Sequence, residues 1–306
     1  MTPSHSDNQF EQLVQRIAPH SKLLRTWELK GGVSAQVTAL EIERTDGYMQ
    51  KMIVRQHGKV DLKHNPHIAA HEFELLQLLH SAGVPVPKPY YLDSSGEIFS
   101  APYIVIEYIE GETELTPSNL PSFIHQFTTH LSRIHQLDCS KLDVSFLPKV
   151  EQIYAKKLRV RPAHLDEFLN ESHIRDTLEA VWPFSQHNPS VLLHGDFWPG
   201  NLLWKDGQIV AIIDWEDAAL GDPLADVANS RLEILWAFGI DSMHSFTQQY
   251  QSITAIDFTN LPYWDLCAAL RPIAYIAEWG LDAATERTMR ERHRWFSNQA
   301  FEKLSV

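Results

Sequence analysis

An α+β fold in two lobes, a small β-rich one and a larger helical one, is predicted by three observations. Short β-type runs separated by glycine turns fill most of residues 1–108, with helical runs before and among them. From Pro121 onward, apolar residues recur mainly at helical spacing. The length of 306 residues, 44% hydrophobic and 21% charged, is long for one core and suits two. The division is placed at 1–108 and 109–306, where Gly111, Pro117 and Pro121 mark a change of composition.

Residues 1–7 read as a loose tail, with Asp7 capping a first helix striped by Phe10, Leu13, Val14 and Ile17 and ended by Pro19. Leu23–Leu29, Gln36–Ile42 and Met49–Gln56 form a meander, with Gly31-Gly32-Val33-Ser34 in its first turn and Asp46-Gly47 in its second. Ile68–Ser81 is helical and stops at Gly83. Val84-Pro85-Val86-Pro87-Lys88-Pro89 is extended, because each proline removes an N–H and restricts the residue before it. Tyr90–Leu92 and Tyr103–Tyr108 complete five strands. The second part reads as helices over about 121–136, 148–158, 164–181, 224–237, 242–254, 261–279 and 283–302. Strands at 190–193, 202–204 and 209–213 interrupt them, the last two joined by Asp206-Gly207.

Lys plus Arg is 26 and Asp plus Glu is 39, a formal charge of −13. Nucleic acid is therefore not an expected partner, since phosphate neutralisation needs cations. The charge tilts weakly toward a cationic small molecule. Two cysteines, Cys139 and Cys267, form neither a disulfide framework nor a metal motif. With a polar N-terminus and no apolar run of membrane length, a cytoplasmic protein is expected. The oligomeric state is open.

The chemistry concentrates in Val191–Ala219. In His194-Gly195-Asp196-Phe197-Trp198-Pro199-Gly200-Asn201, a carboxylate follows an apolar strand, and Pro199-Gly200 turns Asn201 back toward it. A carboxylate there accepts a proton from a hydroxyl, and an amide oxygen ligates a hard cation such as Mg²⁺. Asp214, at the end of Ile209–Ile213, adds a second metal ligand. An isolated His-Gly-Asp reads as a capped turn. The whole set repeats the kinase spacing of an Asp, four residues and an Asn, followed by a strand-borne Asp.

Together with Ile212-Ile213-Asp214-Trp215-Glu216-Asp217-Ala218 and Gly221-Asp222-Pro223-Leu224-Ala225-Asp226, this segment resembles the aminoglycoside phosphotransferase family of small-molecule kinases. The resemblance implies a protein-kinase-like bilobal fold with the site between the lobes. It implies Asp196 as catalytic base, His194 as a loop buttress, Asn201 and Asp214 as Mg²⁺ ligands, and Asp226 as the tie between catalytic loop and large lobe. By the same resemblance Arg55 takes the place of the usual nucleotide-binding Lys, paired with Glu72. Arg55 alone also reads as an exposed strand charge; Lys51 is the fallback, and Glu74 is expected to face solvent. Gly32 and Ser34 would cover the phosphates, and the backbone of Glu107 to Ile109 would meet the base.

The expected cosubstrates are ATP or GTP with Mg²⁺, and the expected acceptor is a small-molecule hydroxyl. A catalytically silent nucleotide-binding module is the alternative. A protein kinase is disfavoured, because Gly221-Asp222-Pro223 follows Asp214 too closely for a long activation segment. Trp198, Trp204 and Trp215 read as packing, His135 as core or surface, and Glu216 and Asp217 as solvated acids ahead of the alternative that they face a cationic substrate. Trp264, Asp265, Arg271, Tyr275, Glu278 and Trp279 are candidates for lining the acceptor pocket.

Overall fold

The computed structural model describes residues 5–29, 35–58, 62–63 and 65–305. Gly32 and Ser34 lie outside them. The chain divides into two compact units. The first comprises Met1–Glu112 with Leu203–Glu216, and the second Thr113–Leu202 with Asp217–Val306. The strand pair ending near Asp214 therefore belongs with the β-rich unit, although the composition break placed everything after 108 in the second. Two main-chain links hold it there: Glu112 and Trp204 exchange N–H···O bonds of 2.9 and 2.8 Å, and the Ile212 amide donates to the Pro85 carbonyl at 2.7 Å. Such links join residues far apart in sequence and leave no local pattern.

The first unit begins with α1 (His5–Ile17), then β1 (Lys22–Glu28), β2 (Ala35–Glu43) and β3 (Met49–His57). After α2 (Ile68–Ser81) come β4 (Pro89–Asp93) and β5 (Tyr103–Glu107). The antiparallel sheet runs β1-β2-β3-β5-β4. Its core joins Phe10, Leu13 and Val14 of α1 to Leu40 and Ile42 of β2 and Met52 and Val54 of β3. Because strand side chains alternate, Met52 and Val54 face that core while Arg55 and His57 share the other face. The first helix begins at His5 rather than after Asp7, as no Gly or Pro in that polar run stops it. β7 (Leu202–Lys205) and β8 (Gln208–Ile212) form a separate hairpin, with Asp206 and Gly207 at φ 52° and 73° in its turn.

The second unit contains α3 (Leu120–His135), α4 (Val150–Arg159), α5 (Glu171–Val181), β6 (Val191–Leu193), β9 (Ala219–Gly221), α6 (Leu224–Phe238), α7 (Ile240–Ile253), α8 (Leu261–Leu270) and α9 (Ala283–Leu304). Two expected helices are shorter than predicted. The one expected over 164–181 is broken at Asn170, whose φ of 60° ends a 3₁₀ turn capped by Asp166. The one expected over 261–279 stops at Leu270, because Pro272 has no N–H to continue it. β9 is a three-residue strand that the sequence pattern does not show; it pairs with β6 and fixes both ends of the segment that carries Asp196. An aromatic cluster sits behind that segment: the Phe127 and Phe197 rings lie 4.6 Å apart, and Phe246 meets Phe127 at 5.6 Å.

Candidate active site

In the first unit, Arg55 is the hub. It is 9% exposed, which removes the exposed-strand-charge reading. Its Nε lies 3.2 Å from Glu72 Oε2, and its Nη2 donates to Asp214 Oδ1 at 2.7 Å and Glu216 Oε2 at 2.6 Å. Glu72 occupies a position in the apolar stripe of α2 otherwise held by Ile68, Ala69, Leu75, Leu76 and Leu79. A charge there needs a partner. It has two, since His57 Nε2 is also 2.9 Å from Glu72 Oε2. Burial opposes both charges. For Arg55, Glu72, Asp214 and Glu216 more than offset it and hold the guanidinium above its ordinary range. For Glu72, Arg55 and His57 draw the carboxyl below the usual range.

Asp214 follows β8 with φ 66°, a left-handed backbone that few non-glycine residues adopt, though Asp tolerates it best. Strain of that kind is kept where the rest of the structure over-determines it. Lys51, the fallback cation, instead pairs with Glu110 at 3.0 Å on the surface. Glu74 is exposed, as expected. Glu216 is no solvated acid: it holds Arg55. The Glu107 amide already donates to the Lys88 carbonyl at 2.8 Å, so it is not a free donor for a nucleotide base. Ile109 lies past the end of β5.

In the second unit, the loop carrying Asp196 is tied from several sides. Asp226, buried in the first turn of α6, accepts from the amides of His194 at 2.7 Å and Gly195 at 2.9 Å. His135 meets the same carboxylate at 3.1 Å and Tyr250 Oη at 2.6 Å. Burial works against the Asp226 charge, but His135 and His194 pull its pKa down. His194 Nδ1 accepts from the Asp196 amide at 3.2 Å. Asn201 Nδ2 donates to the Asp196 carbonyl at 2.9 Å and to its carboxylate at 3.2 Å. That assignment turns the amide oxygen of Asn201 away from Asp196.

Arg271, just beyond α8, completes the clamp. It lies 3.3 Å from Asp196 Oδ1, donates to Asp217 Oδ2 at 2.6 Å and bonds the Gly195 carbonyl. Asp217, expected to be solvated, is 53% exposed at its side chain and also pairs with Arg271. Gly195 has φ 81°, and a Cβ there would lie 2.0 Å from the Asp217 carbonyl oxygen. Gly195→Ala is expected to displace the loop: handedness alone costs at least ~1–2 kcal/mol, before the clash. Turnover should fall while far-UV circular dichroism stays unchanged; wild-type turnover would show that the loop tolerates the shift.

A cavity of about 520 Å³ opens beside Asp196, lined by residues of α4, α6 and the segment after α8. Arg271, Tyr275 and Trp279 line it as expected. Trp264 and Asp265 do not: both are buried, and Asp265 pairs with Arg231 at 2.9 Å. Glu278 is not among the lining residues. Trp204 and Trp215 are buried packing, as expected.

Residues 28–259 match the model of the phosphotransferase enzyme family, APH. The chain belongs to that family. Among relatives of this phosphotransferase family member, acyl-CoA dehydrogenase family member 10 of Mus musculus is 26% identical over 216 residues, 65% of this chain and 20% of the relative. Hygromycin-B 4-O-kinase of Escherichia coli is 24% identical over 221 residues, 66% of this chain and 61% of the relative. The chain thus spans a fifth of the first relative's length and less than two thirds of the second's. A GDP complex of aminoglycoside 2'-phosphotransferase-IIIa superposes with a TM-score of 0.65 at 14% identity, covering 97% of each chain. The fold is therefore the protein-kinase-like one of these phosphotransferases.

The sequence pattern brought out Asp196, Asn201 and Asp214, and the family resemblance added Asp226, Arg55 and Glu72. Neither gave His57, the bond from Arg55 to Glu216, or the Arg271–Asp217 clamp. Only His57 left a signal, standing two positions beyond Arg55 on the same strand face.

Proposed function

We propose that the chain transfers the γ-phosphoryl group of ATP or GTP to a hydroxyl of a small molecule. The observation that carries this reading is the hold on Asp196: His194, Asn201 and Arg271 fix a carboxylate at the mouth of a cavity large enough for a small acceptor. Asp196 orients the acceptor hydroxyl and receives its proton. The acceptor oxygen bonds to phosphorus as the bond to the departing nucleoside diphosphate breaks. Arg55, charged and fixed by Glu72, positions the phosphates.

Asn201 and Asp214 are the residues suited to Mg²⁺. Both offer oxygen, the donor a hard cation prefers, and the strained backbone of Asp214 is a mark of a functional position. No group of three or more His, Cys, Asp or Glu gathers as a metal cage among the described residues. The ion would neutralise charge on the phosphates.

Incubation with γ-labelled ATP and GTP, with Mg²⁺ and a panel of hydroxyl compounds, tests the reading. Label in an acceptor supports it. Nucleotide binding without transfer to any acceptor would favour the silent module. Asp214→Ala is expected to weaken Mg²⁺-nucleotide binding by at least about tenfold. Full affinity by calorimetry would take Asp214 out of the metal site. No helix among the described residues is long and apolar enough to cross a membrane, and we infer a cytoplasmic role from the substrates this reading names.

A further inference from the structure

The cavity beside Asp196 carries information about the acceptor, and it differs from what the net charge of −13 suggests. Its carboxylates are already engaged. Asp196 and Asp217 both face Arg271, and Asp226 holds two loop amides and His135. The remaining acid is Glu233 on α6. Burial in the cavity wall and then the charge of Asp196 push Glu233 up to about 8, with Arg271 partly opposing. At neutral pH this favours its protonated form.

The cations point the same way. Lys157 of α4 also lines the cavity, and its ammonium donates to the Arg271 carbonyl at 3.1 Å. Burial and then Arg271 lower Lys157 to about 8, so it is largely charged at pH 7. Arg271 and Lys157 thus balance Asp196 and Asp217. An ammonium group entering this space would meet two cations, and the ionised carboxylates there, Asp196 and Asp217, already face Arg271. Desolvating it without a partner is unfavourable.

The cavity also presents an unmet donor. Asn229 of α6 is 6% exposed and lines it, one helical turn before Glu233. Its Oδ1 faces Arg271 Nη1 at 3.4 Å, while its Nδ2 is buried with no hydrogen-bond partner among the described residues. A buried amide donor left unpaired costs about 1–3 kcal/mol, and a ligand oxygen would recover it. Around the cavity, Ile153, Tyr275 and Trp279 are 41%, 55% and 44% exposed, an apolar lining open to solvent.

Resting on the phosphotransfer reading above, we propose that Asn229 and Glu233 form the acceptor-reading wall of this cavity, and that the acceptor is an uncharged alcohol. It carries a second oxygen for Asn229 Nδ2 and an apolar body for Ile153, Tyr275 and Trp279. Asn229 is a specificity residue; the proton on Glu233 keeps the wall neutral.

The test uses the full chain with Mg²⁺-ATP and Mg²⁺-GTP and three alcohols on one alkyl skeleton: a hydroxy ester, the hydroxy carboxylate and a quaternary ammonium alcohol. Kanamycin is the polycationic control. Turnover is read together with direct binding by saturation-transfer NMR. The ester is expected to lead both charged analogues by about tenfold in kcat/KM and to bind most tightly. Asn229→Ala should raise the ester's KM about tenfold with a smaller change in kcat. Asn229→Asp, nearly isosteric, should turn preference toward the quaternary ammonium alcohol.

As pH rises through 8, Glu233 ionises and Lys157 loses its charge, so the wild-type preference should move toward the quaternary alcohol, whose own charge does not titrate. Asp196, Asp217, Asp226, Arg271 and Tyr154 also face this space, but Glu233→Gln isolates the Glu233 share and should flatten that shift. A lead for the carboxylate, the quaternary alcohol or kanamycin at pH 7, or no preference in turnover or binding, would overturn the proposal. Loss of Mg²⁺-nucleotide binding in the wild-type chain would instead count against phosphotransfer, while the NMR arm still decides the acceptor class.

Discussion

Asp196→Asn is expected to lose transfer by at least ~10² while keeping Mg²⁺-nucleotide affinity. The substitution preserves shape. The side-chain oxygen of the new amide can still accept from Asn201, and Arg271 keeps Asp217 at 2.6 Å, so the loop retains its anchor. What disappears is the group that accepts the hydroxyl proton. Single-turnover transfer of labelled phosphoryl, set beside calorimetric titration with Mg²⁺-nucleotide, separates the two effects. Turnover equal to wild type would remove Asp196 as the base. A parallel fall in nucleotide affinity would mean that its charge serves binding.

Arg55→Met should be the most damaging substitution for stability. It leaves Glu72 buried with only His57 beside it, and removing one partner of a buried pair costs about 3–5 kcal/mol. Asp214 and Glu216 add less, because their side chains are 31% and 21% exposed and water screens them. Arg55→Lys should lose less: the ammonium keeps the charge but has no planar fork to reach three carboxylates. Hydrogen exchange at β2 and β3 during urea unfolding would report this unit specifically. An unchanged midpoint in the Met variant would show that the cluster adds no net stability. The sign with pH follows from Glu72. Its carboxyl is held below the usual range, so its contribution is complete above about pH 4.3 and is lost as pH falls through the folded-state value. The Met variant should therefore lose less stability in acid than wild type does.

Much of this protein was legible because its chemistry sits on short, local patterns. The eight-residue run from His194 to Asn201 carries its own turn residues, and Pro199-Gly200 fixes how Asn201 returns to Asp196. The family resemblance, not periodicity, placed Arg55 on β3 and Glu72 on α2. What stayed hidden depends on residues distant in sequence. Arg271 reaches the Gly195 carbonyl across 76 positions, and His135 meets Asp226 across 91. No period or motif encodes such a meeting. Asn229 and Glu233 were hidden for another reason. On a helix as uniformly buried as α6, two polar residues one turn apart look like ordinary variation until the cavity beside them is seen. The breaks at Asn170 and Pro272 were readable in principle, since each is a residue that ends helices.

The placement of Leu203–Glu216 in the first unit has a consequence for how the chain is made. During synthesis, Arg55 and Glu72 emerge well before Asp214 and Glu216, with Thr113–Leu202 intervening. Asp214 follows Arg55 by 159 positions, so at ~5–20 residues per second that delay is roughly 8–32 s. Throughout it, β3 carries a guanidinium with one carboxylate partner instead of three, and the Pro85 carbonyl lacks its Ile212 donor. The β-rich unit is thus the first to begin and cannot finish until the nascent chain has passed Glu216. A ribosome-bound chain stalled before Leu203 should show a sheet more open to proteolysis than one stalled beyond Glu216.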